Sequence, residues 1–365
     1  MRVLIACGGT GGHVAPGIAL AQRLMEMGHD SVVAVSEKPI DGRLASAYGN
    51  INFHPIPGSG FALEPVALVK FLVATARGFF AAIRLMRKEK CQVAVAFGGF
   101  SSVGVGLAAA ILRRPLYLHE SNFKLGKATR FLAPFAKAVF IPPPLKKRHP
   151  YGNRKKFFPM AYPLRRDFKI MEMGEARAFL GVERWGKLLA VTGGSQGANV
   201  LRRWVLDNER NLAELGFHCI CLVGLGCERE SRQIENSKGE RYAMEYVPFC
   251  DSMHALYCAA DIAVCRAGAG TIAELIAASL VNVLIPLPKS AANHQMANAE
   301  AMEMEGATRI VEQRHMDRLL CAIGELSDGA SCEKMRMNLR RLRSMGEDGG
   351  ELLAKAAVSC HWPLL

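Results

Sequence analysis

The chain has 365 residues, half of them hydrophobic, which exceeds what one ordinary core needs and is enough for two domains. Its 11 cysteines are odd in number and form no Cys-x-x-Cys pair, so a disulfide framework and a zinc site are unsupported and a reducing cytosol is expected. The net charge is +13: residues 1–160 carry 22 Lys and Arg against 7 Asp and Glu, or +15, and the remainder carries 24 against 26, or −2. The positive charge of the first 160 residues attracts phosphate-bearing partners, unless it only keeps the chain soluble.

Strand and helix signals alternate along the chain, which predicts parallel sheets with crossover helices. In the first half the predicted strands are Val3–Ala6, Ser31–Val35, Val93–Phe97, Leu116–Leu118 and Ala138–Ile141. In the second half they are Leu188–Thr192, His218–Val223, Ala243–Val247, Ile262–Cys265, Val283–Ile285 and Thr308–Ile310. We place the domain boundary at Pro163, giving domains 1–163 and 164–365, and expect a helical tail over 330–360 that can pack back on the first domain.

Two segments of the N-terminal half are considered as a signal peptide or a membrane-spanning helix. Met1 runs directly into the first strand, so no signal peptide is expected. The stretch from Cys91 to Leu112 carries no charge over 22 residues, which is long enough to span a bilayer. It contains four glycines and two serines, however, and is better explained as a buried strand, a turn and a helix of small residues.

Two glycine turns stand about half a chain apart, GGTGGH (8–13) and GGSQGA (193–198), each between an apolar strand and a helix. Such a turn presents backbone N–H groups at the positive end of a helix, which suits phosphate. His13 is the last residue of the first glycine turn, where it can act as a general base near neutral pH or merely cap the helix. Ser195 and Gln196 in the second glycine turn can donate hydrogen bonds to a pyrophosphate.

Four further polar or glycine-rich segments follow predicted strands, at the sheet edge where α/β proteins bind ligands. Residues 97–104 form a second phosphate-type turn or an ordinary turn, and 119–122 (HESN) form a polar cluster or a surface loop. In 265–274 (CRAGAGTIAE) we expect Glu274 in the first helical turn, as a ribose ligand or a simple cap. The amides of 293–298 (NHQMAN) suit sugar hydroxyls.

Two motifs are missing from the sequence. It has no Asp-x-Asp pair to hold a divalent metal on a diphosphate and no P-loop. The charge of a leaving group would then be stabilised by helix ends and by basic side chains such as Arg165.

Taken in order and spacing, these motifs resemble the MurG family of peripheral membrane glycosyltransferases, and the resemblance covers nearly the whole chain. It implies an α/β GT-B fold, with two Rossmann-like parallel-sheet domains facing across a cleft: an N-terminal acceptor domain and a C-terminal UDP-sugar domain. The implied enzyme is a metal-independent hexosyltransferase without cofactor. It moves GlcNAc from UDP-GlcNAc to the C4 hydroxyl of MurNAc in lipid I, inverting the anomeric centre, to give lipid II for peptidoglycan synthesis, cell wall growth and division.

The resemblance also implies roles for individual residues. At the catalytic centre it implies His13 as the base, with Glu120 and Asn122 beside it. For the donor it implies a set that includes the backbone of Cys250 and Ala269: Arg165, Ser195, Gln196, Phe249, Cys250, Ala269, Glu274, His294, Gln295 and Asn298. For the acceptor it implies Thr10, Gly11, Gly12, Gly99 and Asn122. The chain departs from the family pattern at Ser121, Tyr162, Ala267 and Ala292, which weakens the exact transfer of contacts.

Apolar and basic residues are interleaved between positions 68 and 90, so a helix here can present both kinds to an anionic membrane surface, or else pack in the core. The predicted membrane residues are Phe71, Leu72, Phe79, Phe80, Arg84, Arg87 and Lys88. With the resemblance, this predicts a peripheral protein at the cytoplasmic face of the bacterial inner membrane. The expected partners are UDP-GlcNAc, lipid I and anionic lipid, with no nucleic acid.

Three alternatives remain at this point. One is a nucleotide-dependent oxidoreductase, because two GxGxxA matches occur at 104–109 and 268–273, although such a match is a weak signal. Another is a GT-B transferase with a different nucleotide sugar or lipid acceptor. The last is a non-catalytic protein that binds a polyanion or a lipid pyrophosphate.

Overall fold

The structure is a computed structural model that describes residues 1–8, 11–37, 48–60, 64–143, 155–288, 290, 293–327, 329–346 and 348–360. The chain divides into two compact units. The first consists of Met1–Arg166 together with Gly346–Leu365, and the second is Asp167–Met345. Each unit contains one seven-stranded sheet.

The sheet of the first unit is entirely parallel, in the order β3-β2-β1-β4-β5-β6-β7. Its strands are β1 (Arg2–Ala6), β2 (Asp30–Val35), β3 (Asn52–Pro55), β4 (Val93–Ala96), β5 (Leu116–His119), β6 (Ala138–Ile141) and β7 (Phe157–Pro159). Its α-helices are α1 (Gly11–Glu26), α2 (Pro65–Lys88), α3 (Ser101–Ile111), α4 (Lys127–Leu132) and, from the end of the chain, α12 (Gly349–Ser359). A 3₁₀ turn spans Ala133–Phe135.

Both faces of this sheet are buried, which explains the unbroken apolar runs of its central strands. Val3 and Ile5 point to the face covered by α1 and α12, whereas Leu4 and Ala6 point to the face covered by α2 and α3. The strand order reverses direction between β1 and β4, so the turns that follow these two neighbouring strands lie side by side. Ligands bind at this kind of position in open α/β sheets.

The sheet of the second unit has the order β10-β11-β9-β8-β12-β13-β14 and is parallel except for the antiparallel pair β10–β11 at one edge. Its strands are β8 (Lys187–Thr192), β9 (Phe217–Leu222), β10 (Glu230–Glu235), β11 (Arg241–Val247), β12 (Ile262–Cys265), β13 (Val281–Leu284) and β14 (Arg309–Ile310). Its α-helices are α5 (Met173–Leu180), α6 (Gly194–Glu214), α7 (Met253–Ala259), α8 (Ala269–Ala278), α9 (His294–Met304), α10 (Leu319–Ser327) and α11 (Gly329–Ser344), with a 3₁₀ segment at Gln313–Arg318.

Every strand predicted from the sequence is present, with ends that differ by no more than two residues. Three strands were not predicted: β3, β7 and β10. The first two have four and three residues and end in proline, and β10 is a polar, largely exposed edge strand. None of the three carries the apolar run or alternation that marks a strand in a sequence.

The uncharged stretch 91–112 forms the buried β4 and the helix α3 of 11 residues, which begins at Ser101, in agreement with the predicted strand, turn and helix of small residues. Helix α2 is different. Among the described residues it is the one helix long and apolar enough to cross a membrane by length and composition. It has 24 residues, and only Gly78, Ala82, Leu85 and Met86 on it are buried.

Candidate functional site

Two glycine-rich turns of the first unit pack against each other. Gly99 has a φ of +78°, and a Cβ added there would lie 2.3 Å from the carbonyl oxygen of Gly8, so no larger residue fits without a shift. Gly98 also has a positive φ, of +84°. The close approach of these backbones brings together the N-termini of α1 and α3, neither of which has an acidic residue in its first turn.

His13 is the third residue of α1 and lies over this glycine pair. A Cβ at Gly98 would be 3.5 Å from His13 Cε1, and one at Gly99 would be 3.4 Å from His13 Cδ2. The imidazole is half-buried and also lines a pocket of about 570 Å³ in the first unit. Gly11 begins α1, Gly12 is exposed in its first turn, and the predicted acceptor residue Thr10 lies outside the described residues.

Glu120 is buried directly after β5, and both of its carboxylate oxygens accept hydrogen bonds from its own loop. Oε1 accepts from the backbone N–H and the side-chain amide of Asn122, at 3.1 Å each. Oε2 accepts from the backbone N–H of Gly126 at 2.8 Å and from the hydroxyl of Thr129 at 2.9 Å. This carboxylate therefore holds the loop that carries Asn122, which is itself half-buried.

His119, next to Glu120, is buried and Nε2 lies 3.4 Å from the carbonyl oxygen of Ala161. Burial lowers its pKa to about 4, because the charged imidazolium would lose its hydration. The neighbouring Tyr162 donates from its hydroxyl to the carbonyl oxygen of Gly12 at 3.3 Å. The structural roles of these two side chains were not predicted, although both residues stand within or beside motifs that the sequence singled out.

In the second unit, the glycine turn after β8 opens α6 with Gly193 as the N-cap. Ser195 and Gln196 fall in the first turn of this helix, which carries no acidic residue. Four orphan N–H groups and the positive end of the helix dipole are therefore presented at this point, next to the carboxyl end of β8.

The turn after β12 leads into α8, and here the predicted position of Glu274 in the first helical turn was wrong, whereas its predicted role as a ribose ligand stays a prediction. Gly268 is the N-cap with extended backbone, so the helix begins at Ala269 and Glu274 is its sixth residue, in the second turn. The half-buried carboxylate therefore does not cap the helix. Its charge contributes to raising the pKa of Tyr257, whose shift is caused first by burial.

The segment 293–298 (NHQMAN) forms the start of α9, and its side chains make hydrogen bonds to the loops that follow β12 and β13. Gln295 Oε1 accepts from the backbone N–H of Leu287 at 2.9 Å, and half-buried His294 precedes it. Asn298 is fully buried and donates from its amide to the carbonyl oxygen of Ala267 at 3.0 Å. Asn298 thus holds the turn that precedes α8, and its side chain is not exposed for direct contact with a ligand.

Arg266, which the sequence reasoning did not single out, is buried immediately after β12. It donates to the carbonyl oxygen of Ile285 at 3.1 Å and to Oε1 of Gln313 at 2.8 Å. Within the described part of the chain no carboxylate lies within ion-pair distance of it, and burial lowers its pKa. The only sequence signal was its position in the CRAGAGTIAE motif.

Three more predicted donor residues can be located. Phe249 is exposed and Cys250 half-buried in the loop between β11 and α7, and burial raises the pKa of the Cys250 thiol. Arg165 belongs to the first unit, where Nη1 donates to the hydroxyl of Tyr48 at 2.8 Å. The predicted contact of Arg165 with the diphosphate stays a prediction. No cluster of three metal-ligating side chains occurs among the described residues.

Comparison with known proteins identifies the family. The N-terminal domain of glycosyltransferase family 28 matches residues 3–141, and the C-terminal domain of the same family matches residues 188–345. The chain belongs to glycosyltransferase family 28. Family 28 membership accounts for both units, and the predicted α/β class with two Rossmann-like parallel sheets is confirmed.

Curated relatives of this family 28 chain match it over nearly its whole length. The protein of Opitutus terrae named UDP-N-acetylglucosamine--N-acetylmuramyl-(pentapeptide) pyrophosphoryl-undecaprenol N-acetylglucosamine transferase is 40% identical over 342 residues, covering 93% of this chain and 90% of the relative. The protein of the same name from Nitrosococcus oceani is 34% identical, covering 95% of each chain.

Solved structures show the same fold. The crystal structure of MurG from Acinetobacter baumannii superimposes with a TM-score of 0.72 at 24% identity, covering 98% of this chain and 99% of that one. The Streptomyces sp. SF2575 glycosyltransferase SsfS6, crystallised with thymidine diphosphate, gives a TM-score of 0.66 at 17% identity, covering 98% of this chain and 99% of that one.

Proposed function

We propose that this family 28 chain transfers N-acetylglucosamine from UDP-GlcNAc to the C4 hydroxyl of MurNAc in lipid I, giving lipid II for peptidoglycan synthesis. The observation that carries the proposal is the match, over nine-tenths or more of both chains, to relatives whose name states transfer of N-acetylglucosamine from UDP-N-acetylglucosamine to N-acetylmuramyl-(pentapeptide) pyrophosphoryl-undecaprenol. In this proposal the glycine turns would bind the phosphate groups and His13 would act as the general base. The oxidoreductase alternative has no comparable support.

In the first unit, the acceptor pyrophosphate would lie at Gly11, Gly12 and Gly99, where the N-termini of α1 and α3 meet. His13 would act as the general base and remove the proton from the C4 hydroxyl. The C4 oxygen forms a bond to C1 of GlcNAc as the C1–O bond to the diphosphate breaks. The electron pair of that bond leaves with UDP, and attack from the opposite face converts the α-anomer to the β-anomer.

In the second unit, the diphosphate of the donor would lie at the N-terminus of α6, with Ser195 and Gln196 in the first turn. Glu274 would accept hydrogen bonds from the ribose hydroxyls. His294, Gln295 and the backbone of Ala269 would contact the sugar. The segment of Phe249 and Cys250 would contact the uracil.

Two predicted residues take supporting roles in this proposal. Glu120 holds the loop of Asn122 through its four hydrogen bonds, and we assign it a positioning role. Buried Asn298 fixes the turn at Ala267, from which Ala269 begins α8. Asn122 remains the proposed contact to the acceptor sugar.

We further propose that α2 rests on the cytoplasmic face of the bacterial inner membrane. Leu72 and Phe80 are 56% and 67% exposed, while Phe71 and Phe79 are half-buried. Arg84, Arg87 and Lys88 are exposed near the end of the helix. Apolar and basic groups together suit an anionic lipid surface. Because α2 also packs its small residues against α3, it is suited to lie on the bilayer instead of crossing it.

An assay of GlcNAc transfer tests the proposed function. The purified protein is incubated with UDP-GlcNAc and a short-chain lipid I analogue, and UDP release and disaccharide formation are measured. Native protein should make the disaccharide, and His13→Ala should lose about 10²–10⁴-fold in kcat. The matched control is His29→Ala, which removes a histidine beyond the other end of α1. Failure of the native protein to form product would refute the function, and an active His13→Ala would refute the base.

A further inference from the structure

Three buried polar side chains meet inside the second unit, where two neighbouring strands end beside a helix. Thr192 is the last residue of β8, Cys265 is the last residue of β12, and the two are paired in the register of the sheet. Tyr257 reaches them from α7. Thr192 is 6% exposed, Tyr257 is 2% exposed and Cys265 is not exposed at all, so their polar atoms are shielded from solvent. We call these three residues the threonine–tyrosine–cysteine cluster.

Each member of the cluster lies within hydrogen-bond distance of the other two. The Thr192 hydroxyl donates to Cys265 Sγ at 3.1 Å. Because a hydroxyl carries a single hydrogen, the Tyr257 hydroxyl donates to Thr192 Oγ1, which lies 3.1 Å away. The Tyr257 hydroxyl and Cys265 Sγ are 3.7 Å apart. Burial raises the pKa of Cys265 to about 11 and that of Tyr257 well above its usual value, so both groups stay protonated at neutral pH.

The cluster directly precedes two helices that begin at glycine. Thr192 is followed by Gly193, the N-cap of α6, and Cys265 lies three residues before Gly268, the N-cap of α8. Glycine has no side chain that could fix an N-cap, as Ser or Asp does. The positions of both helix N-termini therefore depend on the strand ends before them. These ends are joined by the cluster and by the N–H of Arg266, which donates to the carbonyl oxygen of Thr192 at 3.3 Å.

Tyr257 connects a third segment to these two strand ends. Helix α7, on which it lies, follows the loop of Phe249 and Cys250 that is proposed to contact the uracil. The cluster thus joins the segments proposed for the uracil, the diphosphate and the ribose. The charge of Glu274, the proposed ribose ligand, contributes after burial to raising the pKa of both Tyr257 and Cys265, so its carboxylate lies near the cluster.

We infer that Tyr257 is a positioning residue of the donor site: its hydroxyl, through Thr192 and Cys265, fixes the N-terminus of α6 relative to α7 and α8. The inference rests on the proposed function and deepens it, because it assigns a role to a buried side chain that touches no substrate. Hydrogen bonds from backbone N–H groups weaken steeply as their distance and angle depart from the optimum. A displaced N-terminus of α6 therefore binds the diphosphate less well, while the acceptor site of the first unit is unaffected.

The experiment measures UDP binding by titration calorimetry, together with the KM for UDP-GlcNAc, in Tyr257→Phe, which removes the hydroxyl and keeps the ring. The matched control is Tyr246→Phe. Tyr246 is another buried tyrosine of the second unit, 1% exposed, and its hydroxyl donates to Glu209 Oε1 at 2.7 Å. Glu209 lies near the other end of α6, about 22 Å along the helix from its N-terminus. Both variants should lower the midpoint of urea unfolding, so an effect of lost stability alone would appear in both.

We expect Tyr257→Phe to bind UDP about tenfold more weakly and to raise the KM for UDP-GlcNAc by a similar factor. Its kcat and its KM for a short-chain lipid I analogue should change by less than about twofold, as should UDP binding by Tyr246→Phe. Unchanged UDP binding in Tyr257→Phe would overturn the inference. Equal weakening of UDP binding in Tyr257→Phe and Tyr246→Phe would overturn it as well, because the effect would then be a general loosening of the second unit.

Substitutions of Thr192 test the cluster independently of Tyr257. Thr192→Ser keeps the hydroxyl and should keep the native affinity for UDP, whereas Thr192→Val removes it and should weaken UDP binding as Tyr257→Phe does. Thr192→Val/Tyr257→Phe should bind UDP about as well as either single variant, because the bond between the two side chains is already lost. Fully additive effects, or equal affinities of Thr192→Ser and Thr192→Val, would contradict the inference. Native protein that binds UDP but makes no disaccharide would refute the proposed function instead, and UDP binding that depends on Tyr257 would still support the positioning role.

Discussion

Replacing Glu120 by Gln tests whether this carboxylate positions the acceptor loop. Glutamine keeps one acceptor oxygen and puts an NH₂ group in place of the other. The Thr129 hydroxyl can rotate to accept from that group, but the N–H of Gly126 then loses its acceptor. One unsatisfied N–H costs about 1–3 kcal/mol, and the two bonds kept by Asn122 lose their ionic character. We expect the loop to lose about 2–4 kcal/mol of local stability.

Hydrogen exchange of the amides from Gly126 to Thr129 measures this loss directly. A decrease of about 2–4 kcal/mol predicts exchange that is roughly 30- to 1000-fold faster in Glu120→Gln. The KM for the acceptor should rise, and the pH dependence of kcat should keep its shape, because His13 is unchanged. Glu64→Gln, which alters an exposed carboxylate before α2, should leave both unchanged. Unchanged exchange together with an altered pH profile would refute the positioning role and indicate direct participation in proton transfer.

Substitutions at Gly99, His119 and Arg266 test three further features of the structure. Gly99→Ala should lose at least about 10²-fold in transfer, because its Cβ would lie 2.3 Å from the carbonyl oxygen of Gly8 at a residue with a φ of +78°. The control Gly49→Ala, whose Cβ would have no atom within 4 Å, should keep its activity, and equal activities of the two variants would contradict this packing. Burial holds the pKa of His119 at about 4, whereas in the unfolded chain it is near 6.5, so the contribution of His119 to stability should fall by about 3 kcal/mol between pH 6.5 and 4 and stay level below pH 4. Urea titrations in which His119→Asn loses as much stability over this pH range as the native protein would exclude this cause. Arg266→Ala should cost about 2–4 kcal/mol in unfolding of the second unit and raise the KM for UDP-GlcNAc, and an unchanged midpoint in denaturant would argue against the role of its two hydrogen bonds.

The sequence predicted those parts of the fold that depend on local pattern. The strands β1, β4 and β8 are runs of buried apolar residues, which is the pattern of a parallel strand covered on both faces. Edge strand β10 could not be predicted in this way. Its residues are mostly polar, and it forms because its backbone pairs with β11, which no pattern within β10 specifies.

The motifs located the candidate site but not the contacts within it. The cluster 119–122 was recognised, yet the bond from Thr129 to Glu120 depends on how the chain turns over the next nine residues. Arg266 likewise reaches Gln313, which is 47 residues further along. The error at Glu274 has a simple cause: the sequence did not show which glycine caps α8, and the first helical residue sets the turn on which Glu274 falls.

The covalent structure of the product tests the proposed transfer reaction directly. After incubation with UDP-GlcNAc and a short-chain lipid I analogue, NMR of the purified disaccharide would report the linkage position and the anomeric coupling. We expect one GlcNAc joined through a β linkage to C4 of MurNAc. An α linkage, attachment to another hydroxyl, or UDP release with water as the only acceptor would contradict it.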